Sequence, residues 1–328
     1  MTFTAFSSPA CSVSAGVTTL DLSLRLRELA TQQPDTLALL HKEYGHWRAY
    51  RWQDVLSDVT ELVSRLGERG LGAGGRFAVC GSFEPKQLLL ALAALELGAQ
   101  LISVPRGLSG PALQTWLAPL GLQHAYVQSR KDIAAWAACS VLAQSSGHLL
   151  TARGSAVNVG RWHSEAVAAL QGRSAREPLR QALCTALHKR EVAWVQEGSD
   201  WADGLEQVLR HWLGQGLVLA VPETQDTATR DRFDIQPTQL ILSDAARTQV
   251  ADELRQRVHP GAGWRARLGV GIVSRILQGD GRSGFFQRRV AQLQGLQKVA
   301  EPLLPAPLAS ARNGRSESAS IVLAGAAA

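Results

Sequence analysis

The stretch from Gly75 to Pro105, "GRFAVCGSFEPKQLLLALAALELGAQLISVP", constrains the fold more than any other. A short apolar run, a helix-length Ala/Leu segment and a second apolar run follow one another with brief links. Pro85 stands in the first turn of the middle segment, where its missing N–H costs least, and Gly98 ends it. Strand–helix–strand at this spacing implies parallel pairing through a right-handed crossover. A helix from about Pro111 to Leu120, a strand "HAYVQS" and a helix "KDIAAWAAC" continue the alternation. The expected class is α/β: parallel-sheet layers with flanking helices, followed by a helical C-terminal part.

Upstream, "LDLSLRLRELATQQPDTLALL" predicts a helix, a Pro break and a strand. "LALLHKEYGHWRAYRW" predicts a hairpin turning near Tyr44–Gly45. Val55, Val59, Leu62, Val63 and Leu66 then share one helical face, although Arg51 stands where a capping Ser or Thr is expected. Downstream, "HLLTARG", "VAWVQ", "GLVLAVPE" and "QPTQLILSD" predict strands, residues 162–190 a helical stretch, and the chain from about 246 further helices. Residues 1–19 and 301–328 lack periodicity and are expected to be loose tails, which leaves 20–300 as the folded region.

Composition supports a sizeable core: the chain is 45% hydrophobic and 19% charged. Cys11, Cys80, Cys139 and Cys184 are scattered, without CxxC, so neither a disulfide framework nor a structural zinc site is expected. Dispersed cysteines, no readable secretory leader and no transmembrane-length apolar run imply a cytoplasmic protein. The net charge of +6 is uneven, with 12 Lys/Arg against 5 acids in residues 246–328. That excess suits either a solvated helix face or a patch for anionic lipid or a CoA phosphate. No basic stripe interleaved with aromatics occurs, so no nucleic-acid partner is expected. The amphipathic run 264–278 carries Arg265, Arg267 and Arg275, and fits either peripheral membrane contact or packing on the domain's own core.

Catalytic motifs are sparse. "GLGAGG" at 70–75 follows a helix and precedes a strand, the reverse of a dinucleotide fingerprint, and predicts a plain αβ connection. Neither a G-x-S-x-G elbow nor a Walker A lysine motif is present. The eight histidines show no clustering along the sequence; His41 and His46 flank the hairpin turn, while His163 and His188 fall in predicted helical stretches.

The run "ELATQQPDTLALL…HWRAYRWQDV…LGERGLGAGGRFAVCGSFEPKQLLLALAALELGAQLISVP" resembles the N-terminal opening of adenylate-forming acyl-CoA synthetases. There too, a Pro-Asp phrase precedes the first strand, and an Ala/Leu helix ends at Gly-Ala before a strand capped by Pro. "LGQGLVLAVPETQDTATRDRFDIQPTQLILSDAARTQVADELRQRV" is similar to the long-chain branch, with Pro237-Thr238 at its Pro-Thr. The resemblance implies ATP and Mg²⁺ as cofactors, and an acyl or CoA ligand.

In that family, a strand enters a Thr/Ser/Gly-rich loop ending in Pro-Lys-Gly, which wraps the phosphates. By element order the strand is "VAWVQ", and Gly198 and Ser199 alone keep the small residues of the nucleotide-binding loop. Its lysine is absent, and Glu197, Asp200, Trp201 and Asp203 occupy the region. Two like unit charges about 4 Å apart repel by ~4 kcal/mol at an effective dielectric of about 20. The family's adenine-contacting segment, ribose-binding Asp, hinge and C-terminal lid lie beyond the last residue given. No catalytic residue and no metal ligand is carried over. The expectation is a degenerate, truncated synthetase-like protein without complete adenylation; the alternatives are a non-catalytic protein that binds a partner on the same scaffold, or a truncated remnant.

Overall fold

In the computed structural model, residues 19–152, 161–167 and 190–249 are described. They form α1 (Thr19–Gln32), β1 (Leu37–Glu43), β2 (His46–Arg51), α2 (Trp52–Glu68), β3 (Arg76–Cys80), α3 (Pro85–Glu96) and β4 (Gln100–Ser103). Next come α4 (Gly110–Leu117), β5 (His124–Val127), α5 (Arg130–Ala137), α6 (Ser140–Ala143), β6 (Ser146–Thr151) and β7 (Arg161–Ala166). The described part closes with β8 (Val192–Trp194), α7 (Gly204–Gln215), β9 (Val218–Val221), α8 (Ala228–Ile235) and β10 (Gln239–Leu240). The last described residues, 244–249, are helical.

Among the described residues, ten strands make two sheets, ordered β10-β8-β9-β1-β2 and β4-β3-β5-β6-β7. All pairings are parallel except the β1–β2 hairpin, where Tyr44 (φ 50°) and Gly45 (φ 77°) supply the turn. Two successive left-handed residues make the turn whose twist matches a two-residue hairpin.

The central strands β3, β5, β8 and β9 are apolar almost throughout because both faces of the sheets are covered there. Phe77, Val79, Tyr126 and Leu150 of the second sheet and Ala193, Leu219 and Val221 of the first share one core with α1, α2, α3 and α7. The intervening residues point the other way. Ala78, Cys80, Ala125, Val127 and Leu149 pack against α4 and α5, while Val192, Trp194, Val218 and Ala220 pack against α8. The helices α1, α2, α3 and α7 therefore form a layer between the sheets. Within it, Trp52 and Trp212 stack with ring centroids 5.5 Å apart.

The α2 face is as its periodicity predicts, with Val55, Val59, Leu62 and Leu66 buried. Its start lacks a capping hydroxyl; Asp54 compensates by accepting the Arg51 N–H at 2.8 Å. Residues 70–75 form the expected αβ link between α2 and β3.

Two expectations are corrected. Residues 162–166 are strand, not helix, because they pair in register with β6 along its length. Sheet pairing overrides the local helix propensity of "SEA". The strand predicted in "QPTQLILSD" shrinks to Gln239–Leu240 at the edge of the first sheet. The tails, the run 264–278, His188, Cys11 and Cys184 lie outside the described residues. Cys80 and Cys139 are buried free thiols.

Candidate functional site

Parallel α/β sheets gather their loops at the carboxyl ends of the strands, and ligands enter where the strand order reverses. In the second sheet that reversal is at β3, flanked by β4 and β5. The loop after β3 (Gly81 to Glu84) meets the loop after β8 (Val195 to Asp200), so the two sheets contribute to one crevice.

The junction is a stretch of antiparallel pairing outside the sheets. Ser82 bridges Gly198. Ser199 N–H donates to the Gly81 carbonyl at 2.8 Å, and Phe83 N–H to the Glu197 carbonyl at 2.9 Å. Ser199 Oγ accepts the Gly81 N–H at 3.0 Å. Ser199 is only 1% exposed. A Cβ on Gly198 would lie 2.3 Å from the Gly81 carbonyl oxygen and 2.7 Å from Ser82 Cα, so the close approach requires glycine. Gly198→Ala is expected to destabilise the chain by about 1–3 kcal/mol, as overpacking does. A urea denaturation midpoint equal to that of the unmodified chain would contradict it.

The acids of this loop have internal partners. Glu197 accepts the Ser243 N–H at 2.7 Å and the Ser243 hydroxyl, holding the start of the helix at 244–249. Burial raises its pKa, and the two Ser243 bonds oppose that rise. Asp200 grips Arg106, accepting its backbone N–H at 2.7 Å and forming an ion pair with its guanidinium. The same guanidinium donates to Ser82 Oγ at 2.7 Å. Asp203 is the residue before α7 and makes no side-chain cap bond. Thus Glu197 and Asp200 are positioned to tie the β8 loop to its neighbours.

The crevice behind this junction is lined by His41, Ser82, Glu84, Gln128, Gln196 and Glu223, among others, and encloses about 20 Å³. That is room for roughly one water. Gln128 blocks the reversal point: its Oε1 accepts the Ser82 N–H at 2.6 Å, and a Cβ on Gly81 would lie 2.7 Å from its own Cβ.

The lining groups are electrostatically unusual. His41 is lowered to about 4, mainly by burial and secondarily by the nearby Lys86 cation, with Asp231 opposing. It is a neutral imidazole at pH 7. Burial raises the Glu84 carboxyl, and the hydroxyl bond from Tyr126 partly offsets this. Glu84 keeps some accessible surface as a whole residue, but its carboxyl is enclosed beside the buried Tyr126. Burial and the Glu84 charge push the Tyr126 phenol well above its ordinary value. Glu84, shifted toward its protonated form just after β3, and the neutral imidazole of His41 on β1 are hydrogen-bonding groups for a polar ligand.

The sequence singled out Gly198 and Ser199 but not Glu84, Tyr126, Gln128 or Arg106. Glu84, Arg106 and Gln128 stand just after the apolar strands β3, β4 and β5, which was the available signal; Tyr126 lies within β5. Among the described residues, no group of three or more His, Cys, Asp or Glu is placed to hold a metal ion. No described helix is long and apolar enough to cross a membrane.

No family model matches this sequence, and no curated protein does. Solved structures do match in fold. A protein described as a long-chain-fatty-acid CoA ligase, from Rhodopseudomonas palustris, superposes with TM-score 0.53 at 16% identity, over 71% of this chain and 65% of its own. A mutant form of coronafacic acid ligase from Pectobacterium brasiliense gives 0.55 at 9% identity, over 71% and 52%. A luciferase-like enzyme from the nonluminescent mealworm Zophobas morio gives 0.51 at 13% identity, over 70% and 61%. The chain thus spans about half to two thirds of the length of these structures. Over that share, its fold is similar to that of these two ligases and the luciferase-like enzyme.

Proposed function

We propose that this chain is a synthetase-like protein of the long-chain branch whose crevice does not carry out complete adenylation, and which serves as a binding scaffold for an acyl or CoA ligand or a protein partner. The observation that carries this reading is the state of the loop after β8. Where the resemblance places a phosphate loop at Gly198 and Ser199, the Ser199 N–H and hydroxyl oxygen are engaged by Gly81. A phosphate loop works through free N–H groups and a cation aimed at the oxygens. Here Arg106 beside the loop is paired with Asp200, and Glu197 adds negative charge. Those residues do not fit a triphosphate with its Mg²⁺, so no reaction step is assigned through one.

Titration calorimetry of the whole chain with ATP–Mg²⁺ and with a non-hydrolysable acyl-adenylate mimic tests the reading. The expected result is no saturable heat with ATP–Mg²⁺ and no fatty-acid-dependent ATP–pyrophosphate exchange. Saturable binding of ATP–Mg²⁺ at micromolar affinity, or exchange above that of a boiled control, would restore the enzyme.

A further inference from the structure

We infer that His124, His148 and His163, set side by side across β5, β6 and β7, form an acid-sensitive latch that releases the outer strands of the second sheet under mildly acidic conditions.

The three lie on three different strands, separated by 24 and 15 positions, so no spacing along the chain joins them. Sheet register does. His124 pairs with His148 and His148 with His163, and paired residues of parallel strands project from one face. The His124 and His148 rings stack with centroids 5.3 Å apart and planes 14° off parallel. His148 and His163 meet edge to face at 5.8 Å.

The environment suits neutral rings. His124 Nε2 meets the Arg69 carbonyl at 3.0 Å, which assigns it the proton and leaves Nδ1 bare. The Nδ1 atoms of His124 and His148 are both enclosed and without a hydrogen-bond partner among the described residues. Protonation would place a buried N–H there with no acceptor, and would set two cations in one stack. Among the described residues, the charged groups on the face of the ladder are Arg69 at the end of α2 and, on β7, Glu165 and the exposed Arg161. Arg69 repels an imidazolium, and Glu165 attracts one but is already clamped by the Arg69 guanidinium, with one bond at 2.8 Å.

Burial is the main force holding both imidazoles below the ordinary value. For His124 the Arg69 carbonyl bond opposes it; for His148 its neighbour His163 adds to it. The sign follows from linkage. Unfolded histidine titrates near about 6.5. Below that value an opened strand binds more protons than the closed one, so closure is favoured above it and lost as the pH falls toward the lowered folded values. Among the described residues β7 pairs only with β6, so this corner can open without disturbing β3 and β4.

The test is hydrogen exchange on the whole chain from pH 7.5 to 5.5, corrected for intrinsic pH dependence. Protection of β6 and β7 amides is expected to fall by up to about tenfold per pH unit for each proton taken up. Protection in β3 and β4 should hold. His148→Gln removes one titrating ring, and the pH slope of β6–β7 protection should flatten whatever its effect at pH 7.5. If that variant fails to fold, imidazole proton resonances of the unmodified chain should show two rings titrating below the free-histidine range. Protection in β6–β7 that is independent of pH, an unchanged slope in His148→Gln, or all rings titrating as free histidine would overturn the latch.

Discussion

Lys42→Met is expected to lower the unfolding free energy by about 3–5 kcal/mol, the cost of breaking a buried ion pair from one side. Lys42 is buried on β1, and its Nζ reaches Asp231 Oδ1 at 2.9 Å and Asp234 Oδ2 at 2.6 Å on α8. Asp231 is fully buried. It also accepts from the Thr227 hydroxyl at 2.6 Å and the Glu223 N–H at 3.1 Å. Removing the ammonium takes away that carboxylate's buried counter-ion and leaves only the exposed Arg230, 3.5 Å away. Replacing both members, as Lys42→Met with Asp231→Leu, should recover part of the loss, since a well-packed apolar pair spares the desolvation of two charges.

The pH signs agree with this account. Burial opposes the charged form of each partner, but hydrogen bonds prevail: those from Thr227, Lys42 and the Glu223 N–H lower Asp231, and those to Asp234 and Asp231 raise Lys42. The Asp231 contribution is present above its unfolded value of about 3.9 and is lost as the pH falls through its depressed folded value. That of Lys42 is present below about 10.4 and is lost as the pH rises through its elevated one. Urea titrations at pH 7 of the chain, the single variant and the double variant measure all three. A single variant as stable as the parent would refute the ion pair's role.

Trp212→Ala should cost about 3–5 kcal/mol, in the range for deleting a fully buried indole. The ring lies in the layer between the sheets, stacked on Trp52. Its Nε1–H donates to the Ala38 carbonyl of β1 at 2.9 Å, tying α7 to the first sheet. Truncation leaves a cavity and an unpaired carbonyl together. Trp212→Phe keeps most of the volume and loses the bond, so a smaller loss separates packing from hydrogen bonding. Equal losses in both variants would place the whole effect on the hydrogen bond.

Much of the fold was legible in the sequence because its signals are local. Pro85 and Gly98 bound α3, Tyr44–Gly45 turns the hairpin, and the spacing from Val55 to Leu66 marks the buried face of α2. The candidate site was legible only in place. Glycine at 198 marks the loop after β8, and its neighbouring acids can be counted in the sequence; what each of them holds cannot. Glu197 holds Ser243, 46 positions on, and Asp200 holds Arg106, 94 positions back.

By itself, the sequence determined the α/β alternation, the hairpin and the helix faces, because backbone sterics and apolar periodicity act over a few residues. Tertiary structure alone decided which distant groups meet: the histidines of three strands, Gly198 against Gly81, and Lys42 against Asp231. Those meetings depend on strand order and register, which are set by how whole layers bury their faces.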